Sequence, residues 1–287
     1  MAPDKTPSKP DRPYVLGTHD EELARLGLQH RVWRGAAYDL WERAGFGPGN
    51  TLLDVGAGPG YATRDLAELV GPQGIVQAVE ISERFVEHLR QQAIPNVVVI
   101  HRDAQELGLE DESLDGAYAR WLFTFVPRPE RVVASVAQAL RPGAVFAIQD
   151  YGSYGAIRLS PPSELLKRVI DATIASWKQS GGDADVGCRL PAILEKAGLI
   201  IRDLRPRVRI ARPGTALWEW PTTFFRSFVP KLVEDHFLSP EDARIFLDEW
   251  ARASANPAAF LLTPIVLDLI AEKPRGSGSL RRTWSTT

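Results

Sequence analysis

Short apolar runs alternate with stretches of helical spacing through the first half of the chain. Residues 51–55 (TLLDV) have the pattern of a buried strand and stop at glycines. Residues 61–70 follow with Ala62, Leu66, Leu69 and Val70 on one helical face. Residues 75–80 (IVQAVE) predict a second strand. Ser82 can cap a helix running through Leu89, with Phe85, Val86 and Leu89 turned inward. Residues 97–101 (VVVIH) predict a third strand and residues 114–120 (LDGAYAR) a fourth. Residues 129–140 are helical. Arg141-Pro142-Gly143 should stop that helix and turn the chain into a fifth strand over 144–150. Strands and helices joined by short links predict an α/β fold, a doubly wound and mostly parallel sheet covered on both faces. Ligands of such sheets bind beyond the strand C-termini, where strand order reverses.

The flanks predict additions to that sheet. Residues 14–45 look helical and would form an N-terminal cap. Residues 163–180, 188–199 and 216–255 also look helical, 200–210 reads as one long strand, and 258–271 should contain a last strand. The main domain is expected over 46–275, with helical insertions near 151–187 and 214–256. Residues 1–13, rich in proline and charge, and 276–287, rich in glycine and serine, read as a leader and a tail.

Composition narrows the function classes. Of 287 residues, 44% are hydrophobic and 24% charged, the balance of an ordinary globular chain. Lys+Arg number 34 against 36 for Asp+Glu, which speaks against a nucleic-acid partner. The apolar stretch 258–271 is too short for a membrane span and contains Pro264 and Asp268. The single cysteine, Cys188, rules out an internal disulfide and fits a cytoplasmic protein. The sequence has no P-loop, no paired C-x-x-C and no H-E-x-x-H, so no metal site is expected.

The informative chemistry lies in Asp54-Val55-Gly56-Ala57-Gly58-Pro59-Gly60, at a strand-to-helix turn. Glu80 ends the next strand, where a carboxylate can accept the hydroxyls of a ribose. A dinucleotide site would read G-x-G-x-x-G, with pyrophosphate on the helix N-terminus. Here Tyr61 takes the place of the third glycine. Asp54 would repel a pyrophosphate but attract an ammonium or a sulfonium. S-adenosyl-L-methionine has both cations and no phosphate. Asp103-Ala104 follows the third strand, where a carboxylate could accept from an adenine amino group, and Arg120-Trp121 ends the fourth.

These residues, with 52–63 (LLDVGAGPGYAT), 79–82 (VEIS), 102–107 (RDAQEL), 115–144 and 147–151 (AIQDY), resemble class I S-adenosylmethionine-dependent methyltransferases. The resemblance covers about residues 50–150. It is strongest to the small-molecule branch typified by ubiquinone and menaquinone biosynthesis methyltransferases. It implies a Rossmann-like seven-stranded sheet, with Asp54, Gly56, Ala57, Gly58 and Gly60 around the cofactor. It also implies Glu80 and Ile81 at the ribose, Asp103 and Ala104 at the adenine, and Arg120 at the methionyl end. Ala57 stands where many members have cysteine. Tyr14 would close over the methionyl part, or would be a core tyrosine. The partner implied is a small-molecule substrate, probed in a chain that could also form a homodimer.

Methyl transfer from a sulfonium needs alignment and dryness more than acid–base groups, and the sequence shows no catalytic dyad. His19 and His30 on the cap and His236 in the late insertion are the candidate bases. Residues 216–250 contain eight aromatics: Trp218, Trp220, Phe224, Phe225, Phe228, Phe237, Phe246 and Trp250. With Trp177, the residues Trp220 and Phe224 are expected to wall an apolar or aromatic substrate pocket. A nicotinamide-dependent oxidoreductase and a non-catalytic protein on the same fold are the competing readings.

Overall fold

The computed structural model describes residues 20–276; Tyr14, His19, the leader and nearly all of the tail lie outside the described residues. The elements run α1 (Asp20–Arg43), β1 (Thr51–Val55), α2 (Tyr61–Val70), β2 (Ile75–Glu80), α3 (Glu83–Gln91), β3 (Val97–His101), β4 (Leu114–Arg120), α4 (Pro129–Ala139) and β5 (Leu140–Ser153). Then follow β6 (Arg158–Ser160), α5 (Glu164–Gln179), α6 (Leu190–Lys196), β7 (Ile200–Arg207), β8 (Ile210–Ala211), α7 (Ala216–Glu234), α8 (Pro240–Ala255), β9 (Phe260–Leu262) and β10 (Ile265–Glu272).

Seven strands form one sheet in the order β3-β2-β1-β4-β5-β10-β7. β1 to β5 pair in parallel, and β10 runs antiparallel to both neighbours. Order reverses between β1 and β4, so the crevice at their C-terminal ends is where a ligand belongs. Alternation along β1 sends Leu52 to one core and Leu53 to the other. On one face Leu52, Val76 and Tyr118 pack with Trp41 of α1 and Leu66 of α2. On the other, Leu53, Val55 and Phe146 pack with α4 and α6 through Val132, Val136, Leu190 and Leu194.

Three expectations need correction. The fifth strand begins at Leu140 and extends to Ser153, beyond 144–150. Arg141-Pro142-Gly143 bulges inside it: pairing jumps from Leu114↔Leu140 to Gly116↔Val145, and the Gly143 N–H finds the Lys273 carbonyl at 2.7 Å. The strand expected over 200–210 divides after Arg207, because Arg209 turns to exchange hydrogen bonds with Thr263. β8 then joins a second, three-stranded sheet in the order β6-β9-β8, which the pattern did not predict. The helix expected over 188–199 is shorter, Leu190–Lys196.

α5, α7 and α8 enclose a third, aromatic core. There Trp218 stacks on Trp250 at 4.5 Å and Phe225 packs edge-on to Phe246. α1 is held against the sheet by a buried polar chain. Asp268, fully buried in β10, accepts from Arg43 of α1 at 2.6 Å, from Arg207 of β7, and from Gln149 of β5 at 2.8 Å. Gln149 accepts in turn from the Tyr118 hydroxyl at 3.0 Å. Removing one partner of such a cluster strands the charges that remain. Asp268→Ala should therefore lower unfolding stability by about 3 kcal/mol, read from urea denaturation. A loss within experimental error would mean that the cluster does not anchor α1.

Candidate functional site

β1 ends at Val55, and the chain crosses to α2 through a turn whose backbone is fixed from β2. The Gly56 and Ala57 N–H groups both donate to the Val79 carbonyl at 2.9 Å. Glu80, at the end of β2, accepts from the Gly58 N–H at 2.7 Å with one carboxylate oxygen. The other accepts from the Ile81 and Ser82 N–H groups at 2.9 and 2.8 Å. Gly58 has φ +55°, in the left-handed region, and a Cβ there would meet nothing within 4 Å. A wide space thus opens directly over the turn.

That space is a cleft of about 650 Å³. Asp54, Gly56, Ala57, Gly58, Glu80, Ile81, Asp103, Ala104 and Arg120 all line it. Gly60 does not: it caps α2 behind the turn with φ +87°. Asp54 is buried and accepts from the Thr63 hydroxyl at 2.6 Å; burial pushes its carboxyl up to about 6. Burial also raises Glu80, against the opposing pull of its three backbone donors. Asp103 caps a short turn by accepting from the Gln105 N–H at 2.8 Å.

Arg120 ends β4. Its Nη2 contacts His30 Nδ1 of α1 at 2.9 Å, and its buried Nη1 has no hydrogen-bond partner among the described residues. His30 itself lines the cleft, with its other nitrogen 3.0 Å from Asp65. A histidine committed at both nitrogens is a poor general base. His236 is exposed at the end of α7 and lines neither this cleft nor the neighbouring chamber.

Beside the cleft lies an aromatic chamber, closed down to about 40 Å³, room for little more than a water. Trp177, Trp220 and Phe224 line it, as do Tyr151 near the end of β5 and Tyr154 just after it. Gln29, Trp121 and Phe125 line both spaces. Trp121 is the dividing wall. Its φ of +49° is strained for so large a residue, and its ring lies near parallel to Trp220 at 6.1 Å. The turn carrying Phe125 is fixed by Asp150, which accepts from the Phe123 N–H at 2.8 Å and the Thr124 hydroxyl at 2.5 Å. Burial pushes this carboxyl up to about 6 as well. Tyr151 and Tyr154 escaped the sequence reading although they lie at the end of a strand, the place such residues are expected. Gln29 carried no signal, being one polar position of a long helix.

The donor set fits S-adenosyl-L-methionine. Carboxylates at Asp54, Glu80 and Asp103 line the cleft with Arg120, whose Nη1 is unspent among the described residues, and Glu80 takes the Gly58 N–H that a pyrophosphate would otherwise use. Glu80 Oε2, which accepts from the Gly58 N–H alone, retains acceptor capacity for a hydroxyl.

Residues 53–148 match the family model described as a methyltransferase domain. The ubiquinone/menaquinone biosynthesis C-methyltransferase UbiE of Ectopseudomonas mendocina is 27% identical over 169 residues, 55% of this chain and 63% of that protein. The protein of the same description from Pseudomonas fluorescens is 26% identical over 151 residues, 51% of this chain and 55% of its own. The match thus spans roughly three-fifths of the length of these curated relatives. Among solved structures, a Galdieria sulphuraria protein provisionally described as a sarcosine dimethylglycine methyltransferase superposes with TM-score 0.55 at 20% identity, over 85% of this chain and 86% of that one. A Haemonchus contortus phosphoethanolamine-type N-methyltransferase, solved with phosphomonomethylethanolamine and S-adenosylhomocysteine, gives 0.53 at 18% identity, over 85% and 53%. At these identities the likeness establishes the fold.

The raised carboxyl of Asp54 has a consequence for stability. Its ordinary value is 3.8 and its folded value about 6, so the folded state is favoured below pH 4 and that contribution is lost as pH rises through 6. Asp54→Asn should reduce the loss of stability between pH 4 and pH 7 by about 3 kcal/mol, measured by urea unfolding at both pH values. An unchanged difference would refute the buried, costly carboxylate.

Proposed function

For a chain carrying a class I S-adenosylmethionine-dependent methyltransferase domain, we propose methyl transfer to a small, neutral aromatic metabolite bearing acceptor oxygens. The observation that carries this reading is the contact between two unlike spaces. A carboxylate-lined cleft and an aromatic chamber share Gln29, Trp121 and Phe125.

Bound S-adenosyl-L-methionine supplies an activated methyl group on a cationic sulfur. Asp54 offsets the ammonium charge, Glu80 accepts from the ribose hydroxyls, Asp103 accepts from the adenine amino group, and the free Nη1 of Arg120 pairs with the methionyl carboxylate. The chain itself needs no acid, because the departing thioether is neutral. Its task is to align the acceptor and exclude water, and holding reactants in line can lower a barrier by ~7–11 kcal/mol.

The chamber's lining supports this acceptor class. Among the described residues no carboxylate lines it, and Arg25 stands on its wall. Among the described residues the buried indole N–H groups of Trp121 and Trp177 have no acceptor, unlike that of Trp220, which donates to Gln29 at 2.9 Å. Trp33 and Trp41 also lack acceptors, but they line neither space. Because the Gln29 oxygen is occupied by Arg25 and Trp220, its amide N–H groups remain to be used. The chamber therefore offers unspent N–H donors, which suit an oxygenated ring, and Arg25 on its wall opposes an ammonium that aromatic faces alone would accept. The acceptors named for the Galdieria and Haemonchus relatives are amines, and this chamber lacks the carboxylates that would favour them. Admission of a ring requires Trp220 and Phe224 on α7 to swing aside.

The test is transfer of label from methyl-labelled S-adenosylmethionine to a panel of phenols, hydroxyquinones and amines. Label should enter oxygenated arenes, and Gly58→Arg, which fills the open space over the turn, should abolish transfer while the protein stays folded. Trp121→Phe should raise KM for the best arene about tenfold, the worth of one lost hydrogen bond. Label entering only the amines would overturn the acceptor class, and transfer undiminished in Gly58→Arg would overturn the assignment of the cleft.

A further inference from the structure

A chain of four side chains, buried at His30 and Asp65 and open to solvent at Arg34, joins the cap helix to the cofactor cleft. Arg34 of α1 donates to both oxygens of Asp65 on α2, at 2.6 and 3.0 Å. Asp65 Oδ2 lies 3.0 Å from His30 Nε2, and His30 Nδ1 lies 2.9 Å from Arg120 Nη2. An arginine can only donate, and an ionised aspartate can only accept. The two contacts therefore fix one form of His30: neutral, with the proton on Nε2 given to Asp65 and the bare Nδ1 accepting from Arg120.

We infer that His30 is a positioning residue for cofactor binding, holding Arg120 by Nη2 so that Nη1 is presented to the methionyl carboxylate. The inference rests on the reading of the cleft as the S-adenosylmethionine site. The groups facing the imidazole are Arg34 from its own helix, Asp65 and the Tyr61 ring from α2, and Arg120 from β4. Protonation would place an N–H and a positive charge against the guanidinium, ending the hydrogen bond and pushing Arg120 away. Burial lowers the His30 pKa below its ordinary 6.5, which keeps the accepting form at neutral pH. Cofactor affinity should then fall as pH drops through the acid range. α1, which contributes no cofactor contact that the sequence motif would reveal, becomes part of the binding apparatus.

The experiment measures S-adenosylhomocysteine affinity by calorimetry between pH 5 and pH 8 for the wild type, His30→Asn and His30→Leu. Asparagine keeps an acceptor near Nδ1 and does not titrate. Asp54 and Glu80 titrate in all three proteins, and because His30→Asn keeps an acceptor for Arg120, the difference between the wild-type and His30→Asn profiles isolates His30. His30→Asn should bind within about threefold of the wild type at pH 8 and lose about tenfold less affinity on acidification, the effect of one removed proton-binding step. His30→Leu should bind weakly at every pH. In ¹⁵N NMR of the folded wild type, the His30 ring should show its proton on Nε2 at pH 7.5. Superimposable profiles for wild type and His30→Asn, full affinity in His30→Leu, or a proton on Nδ1 would each overturn the inference. A folded wild type that binds no S-adenosylhomocysteine at any pH would instead overturn the reading of the cleft.

Discussion

One carboxylate sets the geometry of the cleft. Glu80 gathers the backbone N–H groups of Gly58, Ile81 and Ser82 and so ties the end of β2 to the glycine turn after β1. Without that tie the Gly58 N–H in the turn and those of Ile81 and Ser82 after β2 would lose their acceptor, and nothing would hold Gly58 in its left-handed conformation. With it, the turn stands clear of the crevice where strand order reverses. The arrangement is costly. Glu80, Asp54 and Asp150 are all buried carboxyls raised by desolvation. Stability is given up at the three points that shape the cleft and its boundary, as expected where function sets the requirement.

The molecule separates two kinds of chemistry by a wall shared among Gln29, Trp121 and Phe125, with Trp121 its largest part. On the cleft side of Trp121 lie the carboxylates with Arg102, Arg120 and Lys231; on the chamber side lie aromatic faces and donors. Trp121 belongs to both, and its strained backbone places it there. Its ring is braced edge-on by Trp33 of α1 and by the Arg120 guanidinium at 5.2 Å. The same helix thus steadies the wall between the compartments and, through His30, the arginine at the edge of the cleft.

Much of this was legible in the sequence. The first four strands fall at the residues the apolar runs predict, because each run is bounded by glycine, proline or a capping residue that acts locally. The carboxylates at the ends of β1, β2 and β3 were readable for the same reason: strand ends are where an α/β sheet presents side chains to a ligand. What escaped depends on distant partners. The bulge at Arg141-Pro142-Gly143 continues as strand only because Lys273, far along the chain, accepts from Gly143. The second sheet arises from pairing between segments near 158, 210 and 260 too short to show periodicity. The aromatic excess of 216–250 was visible, but not that Trp220 and Phe224 face a chamber while Trp218 and Trp250 pack away from it. His30 was visible as a histidine and a candidate base; only the positions of Asp65 and Arg120 reveal both its nitrogens to be engaged.

The central claim is that the cleft welcomes a nucleoside bearing a sulfonium and an ammonium and turns away phosphates. Parallel calorimetric titrations of the wild-type chain at neutral pH, one with S-adenosylhomocysteine and one with NADH, test it most directly. The account predicts saturable heat for the thioether nucleoside and none for the dinucleotide. Saturable binding of NADH with no response to S-adenosylhomocysteine would contradict it.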